Sequence, residues 1–251
     1  MDILLIVGGF VGLILGGELL VRGAVAIAQR FGVSPMVIGL TLVGFGTSMP
    51  ELVTSVQAAL ADAPGIAIGN VVGSNIANIL LILGLTALMR PLAVSRGSFP
   101  RDAGVLCVVT ALCTVLFLNG MLGRSAGLVF LVALVAYLIF TLKAGSAEGS
   151  ESDVPDVGIP HNLLLSVLYL VGGLIITIVA ARFLVMGAVS LAATLGMSQA
   201  AIGLTVVAVG TSLPELVTSV VAARRGQSDI ALGNIIGSNI FNILGILGVT
   251  A

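Results

Sequence analysis

The sequence predicts an all-α, polytopic transmembrane helical bundle with inverted-topology repeats, and three observations carry that prediction. Of the 251 residues 58% are hydrophobic and 8% charged, with a mean hydropathy of +1.24, far from a soluble domain. The apolar residues run continuously, whereas barrel strands would be ~10 residues long with alternating polarity. Helices are then the structures that satisfy the backbone in lipid. The third observation is a repeat: shifted by 164 positions, residues 39–87 fall on residues 203–251 without a gap, with 32 identities in 49 positions. Such self-similarity implies duplication.

Eight runs are long enough to cross ~30 Å of hydrocarbon: 3–28, 35–61, 66–88, 103–119, 125–143, 162–188, 197–223 and 229–250. The first begins beside Asp2 rather than a basic flank and is too long for a signal-peptide core, so it is read as a helix. Cytoplasmic loops collect Lys and Arg. One side gathers Arg30, Arg90, Arg96, Arg101, Lys143, Arg224 and Arg225, and the other only Arg124, which places the N-terminus outside. Arg22 and Arg182 fall inside helices, where long stems can snorkel to the interface, and Glu18 stands at i, i+4 from Arg22. Cys107 and Cys113, six apart in one helix, read as small buried hydrophobes. His161 is the only histidine, so a hydrolase triad or a zinc site has almost no material.

The chain divides into a first repeat (1–143), a short cytoplasmic linker (144–160) and a second repeat (161–251) that is shorter than the first. The linker, Gly-, Ser-, Pro- and acid-rich, lacks the spacing and central glycine of an EF-hand. Five helices separate each repeated element from its copy, and an odd number makes the copies enter the membrane from opposite sides. Transporters built this way hold substrate near the midplane between discontinuous helices.

The repeated segments place polar chemistry at that depth. Pro50 lacks an amide hydrogen and crowds the carbonyl of Gly46, so the helix should break there, made easier by Gly44 and Gly46. Thr47, Ser48 and Glu51 then form a cluster of hard oxygens, repeated by Thr211, Ser212 and Glu215 beside Pro214. The next helix adds Ser74 and Asn78 with Asn75 flanking, copied as Ser238, Asn242 and Asn239. Gly69, Gly73, Gly233 and Gly237 would let helices approach closely. Two central carboxylates cost roughly 2.5–3.5 kcal/mol each on the insertion scale, and no Lys or Arg lies at comparable depth. A cation is the simplest partner. Oxygen ligands without Cys or His favour Ca²⁺ or Na⁺, and two glutamates balance one Ca²⁺, two Na⁺ or two protons. The plainer alternative is that the glycines and prolines kink crowded helices, the glutamates are protonated, and Asn and Ser hold helices together.

The "GTS-hydrophobic-PE" and "GSN" signatures at 46–51, 73–75, 210–215 and 237–239 resemble those of the sodium/calcium exchangers of the calcium/cation antiporter superfamily, prokaryotic type with two alpha repeats. The resemblance implies ten helices in a complete member against eight in this chain. It implies Ca²⁺ ligands Glu51 and Glu215 shared with Na⁺, and completion of the sites by Thr47, Ser48, Ser74, Asn78, Thr211, Ser212 and Ser238. The backbone carbonyls of Gly44 and Ala208 join them. Asn242 stands where many exchangers carry an acid, matching Asn78 instead.

The function expected is secondary active exchange of Ca²⁺ for Na⁺ by alternating access in a prokaryotic plasma (inner) membrane, with no enzymatic step, prosthetic group or nucleic-acid partner. The Gly-rich first and sixth helices would slide across the core. A proton/calcium antiporter would use the same glutamates, and a cation channel is the rival of another class.

Overall fold

The computed structural model describes residues 1–94, 98–148, 162–198, 206 and 208–251. Ten helices are labelled here in chain order. They are α1 (Asp2–Phe31), α2 (Pro35–Thr47), α3 (Met49–Leu60), α4 (Pro64–Met89), α5 (Ser98–Leu118), α6 (Arg124–Glu148), α7 (Leu163–Thr194), α8 (Ala208–Thr211), α9 (Leu213–Arg224) and α10 (Ser228–Thr250). Among the described residues six helices are long and apolar enough to span a membrane, and α2 with α3 makes a seventh, bent by 46°. The seventh expected span, 197–223, falls partly on residues outside the described ones, as do His161 and most of the linker. Helix α6 continues to Glu148, taking in the first residues read from sequence as linker.

The core lies around α10, whose apolar span is buried along its entire length by α2, α4, α5, α6 and α9. Leu40, Phe130, Leu134, Ile240 and Leu244 pack there, and the rings of Phe45 and Phe241 stack at 4.4 Å between centroids. A second cluster joins α1, α2, α7, α9 and α10 through Leu20, Val43, Leu170, Ala222 and Ile230.

Helices α1 and α7 pack against each other along most of their length. Gly173 makes this possible, because a Cβ there would stand 2.3 Å from the Leu20 nitrogen. The two ends are tied by Ser190, which donates to Asp2 over 2.8 Å. The glycines of α1 and α7 thus largely face the partner helix and join the two helices into one unit. Arg22 makes the i, i+4 pair with Glu18 that the sequence suggests, donating at 2.9 Å, and Arg225 binds the same carboxylate from the end of α9. The expectation for the cysteines is corrected too, since Cys107 is exposed on the outer surface of the bundle and Cys113 is half-buried.

Candidate functional site

Both prolines act as their chemistry requires. Without an amide hydrogen at Pro50 and Pro214 the helical ladder opens, and Ser48 (φ −81°, ψ 7°) and Ser212 (φ −90°, ψ 8°) occupy the two breaks. A new helix starts immediately after each, so Glu51 and Glu215 stand in first turns, where unpaired amides and the helix dipole favour negative charge. Both side chains are 1% exposed.

The breaks face each other across the two repeats. Ser48 Oγ donates to Glu215 Oε1 at 3.0 Å, and Ser212 Oγ donates to Glu51 Oε1 at 3.3 Å. These bonds interconvert under the 164-residue shift, so the internal symmetry of the sequence is realised as reciprocal contact. Asn70 Nδ2 fastens the first glutamate's helix by donating to the Glu51 carbonyl at 3.1 Å and to Ser55 Oγ at 2.9 Å. Asn234 repeats this on the Glu215 carbonyl at 3.2 Å and on Ser219 at 2.9 Å. Sequence reading did not single out Asn70, Ser55, Asn234 or Ser219. Their signal was available in the identities of the repeat, where each is a polar residue retained inside an apolar span.

A close helix crossing brings α10 to α2. Gly237 makes it possible: a Cβ there would fall 2.2 Å from the Leu40 carbonyl oxygen. Ser238 Oγ can then donate to the Gly44 carbonyl at 3.0 Å, while Thr47 Oγ1 lies 3.1 Å from Asn234 Oδ1 and 3.3 Å from the Gly44 oxygen. The Gly44 carbonyl is thus an oxygen of this cluster that already accepts hydrogen bonds. Gly233 is also close against α2, where a Cβ would stand 2.6 Å from the Met36 carbonyl oxygen, whereas Gly69 and Gly73 meet no atom within 4 Å among the described residues.

Asn78 and Asn242 each open a π-helical turn, Asn78–Leu83 and Asn242–Leu247. Wider turns of this kind interrupt the regular ladder and recur at functional positions. Asn78 is 1% and Asn242 0% exposed. Ser74 is buried in α4, and Thr211 is half-buried at the end of α8. Ala208 opens α8.

Four buried oxygens in this cluster make no hydrogen bond among the described residues: Glu51 Oε2, Glu215 Oε2, Asn78 Oδ1 and Asn242 Oδ1. Two come from each repeat. Among the described residues no three His, Cys, Asp or Glu side chains converge, so this set combines two carboxylates with neutral oxygens. A cavity of about 330 Å³ lined by Pro50, Thr54, Gln57, Arg182, Gly210 and Thr211 adjoins the breaks.

The family model described as "Sodium/calcium exchanger protein" matches residues 1–143 and 165–251. This chain belongs to the sodium/calcium exchanger family. The exchanger is 40% identical to the inner membrane protein YrbG of Escherichia coli over 258 residues, covering 98% of this chain and 78% of that protein. It is 35% identical to the sodium/calcium exchanger MaX1 of Methanosarcina acetivorans over 287 residues, covering 99% of this chain and 82% of that one. A solved structure of the sodium-calcium exchanger NCX_Mj, soaked with Na⁺ and Sr²⁺, superposes with a TM-score of 0.87 at 39% identity, over 99% of this chain and 81% of that chain. With its apolar helices, the exchanger is a multi-pass integral membrane protein and a cation/Ca²⁺ antiporter.

Proposed function

We propose that the exchanger moves Ca²⁺ against Na⁺ by alternating access, both ions competing for oxygens between the repeats. The single observation that carries this reading is the set of four buried, hydrogen-bond-free oxygens on Glu51, Glu215, Asn78 and Asn242. Each unsatisfied buried polar group costs about 1–3 kcal/mol, and more when charged, so the set calls for a positive partner. Oxygen donors alone suit a hard cation. The hydroxyls of Ser48 and Ser212 orient the carboxylates, while Thr47, Ser74, Thr211 and Ser238, with the carbonyls of Gly44 and Ala208, complete the proposed ligand set. A total charge of minus two is cancelled by one Ca²⁺ or by two Na⁺, so one ion displaces the other.

Alternating access draws support from the uneven surroundings of the site. Gly12 packs on Ala180, which puts Arg182 and the 330 Å³ cavity toward the Asp2 end of the α1–α7 pair. Toward the Phe31 end, Glu18 of α1 binds Arg225 and Arg90 donates to the Arg224 carbonyl at 2.7 Å. In this reading the cavity is the accessible side of the site and the Glu18–Arg225 and Arg90–Arg224 contacts mark the closed side. By the placement of Lys and Arg, the accessible side faces outward. The α1–α7 unit then slides as a body to reverse this.

Radiolabelled Ca²⁺ uptake into proteoliposomes with an imposed Na⁺ gradient tests the reading. Uptake should follow the Na⁺ gradient at fixed pH and fall to background in Glu51→Gln and Glu215→Gln. Uptake driven only by a pH gradient would assign proton coupling, flux without any counter-ion would indicate a channel, and full uptake in both glutamine variants would reject the site.

A further inference from the structure

Next to the proposed ligands stands a second pair of asparagines, Asn75 and Asn239, whose geometry bears on what positions 78 and 242 are able to present. Asn78 Nδ2 donates to Asn239 Oδ1 at 3.1 Å, and Asn242 Nδ2 donates to Asn75 Oδ1 at 2.9 Å. Each bond crosses between repeats, and the two exchange under the 164-residue shift. An asparagine amide is planar, with donor and acceptor on opposite prongs. Committing the NH₂ prong to a neighbour leaves the oxygen prong facing elsewhere, and those are the oxygens of Asn78 and Asn242 that make no hydrogen bond.

The orientation of Asn75 is fixed independently. Its own Nδ2 donates to the Asn239 main-chain carbonyl at 3.1 Å, and a carbonyl can only accept. Asn75 therefore offers residue 242 only an acceptor. A 180° turn of the Asn242 amide would set oxygen against oxygen. We infer that Asn75 and Asn239 are positioning residues that aim the amide oxygens of Asn242 and Asn78 at the transported cation. This inference rests on the function proposed above and deepens it: the two neutral oxygens of the site are aimed by the opposite repeat. Asn78 lies against the Asn239 amide oxygen in the same way, although Asn239 Nδ2 itself makes no hydrogen bond among the described residues.

The test is a pair of double-mutant cycles read by equilibrium binding of ⁴⁵Ca²⁺ to the purified exchanger in nanodiscs. Outer partners that aim metal ligands are typically worth 10–100-fold in affinity, so Asn75→Leu, close in volume, should raise the Ca²⁺ dissociation constant about tenfold or more. In an Asn242→Ala background the same change should add less than about twofold, because no amide is left to aim and coupled residues are not additive. The symmetric cycle, Asn239→Leu with Asn78→Ala, should behave alike. A merely structural role for Asn75 would lower affinity by the same factor in both backgrounds, and that outcome, or unchanged affinity in Asn75→Leu, overturns the inference. Asn75→Ser, which shortens the side chain out of reach without apolar bulk, gives the same reading should a leucine variant fail to elute as a monodisperse peak. Glu51→Gln separates the two levels: if it binds Ca²⁺ like the parent, the proposed site itself fails. If it loses binding while both asparagine cycles are additive, only the aiming role fails.

Discussion

Ser48, at the break that ends α2, donates its hydroxyl hydrogen to Glu215 in the first turn of α9, so each repeat positions the carboxylate of the other. With the mirrored bond from Ser212 to Glu51, neither half holds its own acid alone. A hydrogen bond to a charged group is worth about 1.5–3 kcal/mol, and every 1.4 kcal/mol is tenfold in affinity. Ser48→Ala and Ser212→Ala should therefore each weaken Ca²⁺ binding by roughly 10–100-fold, measured by equilibrium binding. Threonine at either position keeps the hydroxyl and should recover most of the loss.

Asn70 and Asn234 act one step further out, by fastening the helix turns that carry the glutamates. Each donates both to a glutamate's main-chain carbonyl and to a serine one turn on, and so clamps α4 to α3 and α10 to α9. Leucine at Asn70 or Asn234 leaves the carbonyl and the serine short of a donor at about 1–3 kcal/mol. Lowered thermal stability in detergent together with weaker Ca²⁺ binding is expected. The cost should be greater at Asn234, which is fully buried and also lies 3.1 Å from Thr47.

The close crossing at Gly237 gives a prediction about stability alone. A methyl group there would press on the Leu40 backbone at 2.2 Å, and backbone cannot yield as a flexible side-chain tip can. Overpacking costs about 1–3 kcal/mol, so Gly237→Ala should lower the melting temperature by roughly 2–12 °C for a protein of this size. Gly172→Ala, with no atom within 4 Å among the described residues, should melt like the parent.

These relationships differ in how far the sequence announces them. The bend at Pro50 was legible because a missing amide hydrogen has one outcome in a helix, and the pairing of the repeats was legible from the 164-residue period. Which atom of each asparagine faces the site was not, because amide orientation depends on partners that the fold supplies from the other repeat, 161 residues away for Asn78 and Asn239. The glycines of α1 and α7 carried an ambiguity of the same kind. Composition marks a close approach without saying to which helix, and Gly173 resolves it toward α1. Cys107 was misplaced because in lipid an apolar residue is as stable on the outside of a bundle as inside it, so hydrophobicity does not report burial.

Glu18 and Arg225 are 207 positions apart, and they join the α1–α7 unit to the end of α9. Residue 182, the copy of Glu18, is an arginine, and residue 61, the copy of Arg225, is an alanine, so this ion pair has no symmetric counterpart at the other mouth. A two-state carrier with a tie on one side only is biased toward the state that keeps the tie. The side chains are 30% and 17% exposed, which limits the pair to about 1 kcal/mol, or about a fivefold shift in the ratio of the two states. Under the proposed alternating access, Arg225→Gln should therefore lessen the population in which the cavity beside Gln57 is open. A cysteine placed at Gln57 in the open cavity, with Cys107 and Cys113 replaced, reports this as slower labelling by a membrane-impermeant maleimide. If Arg225→Gln labels at the parent rate, the pair is a packing contact with no part in choosing the open side.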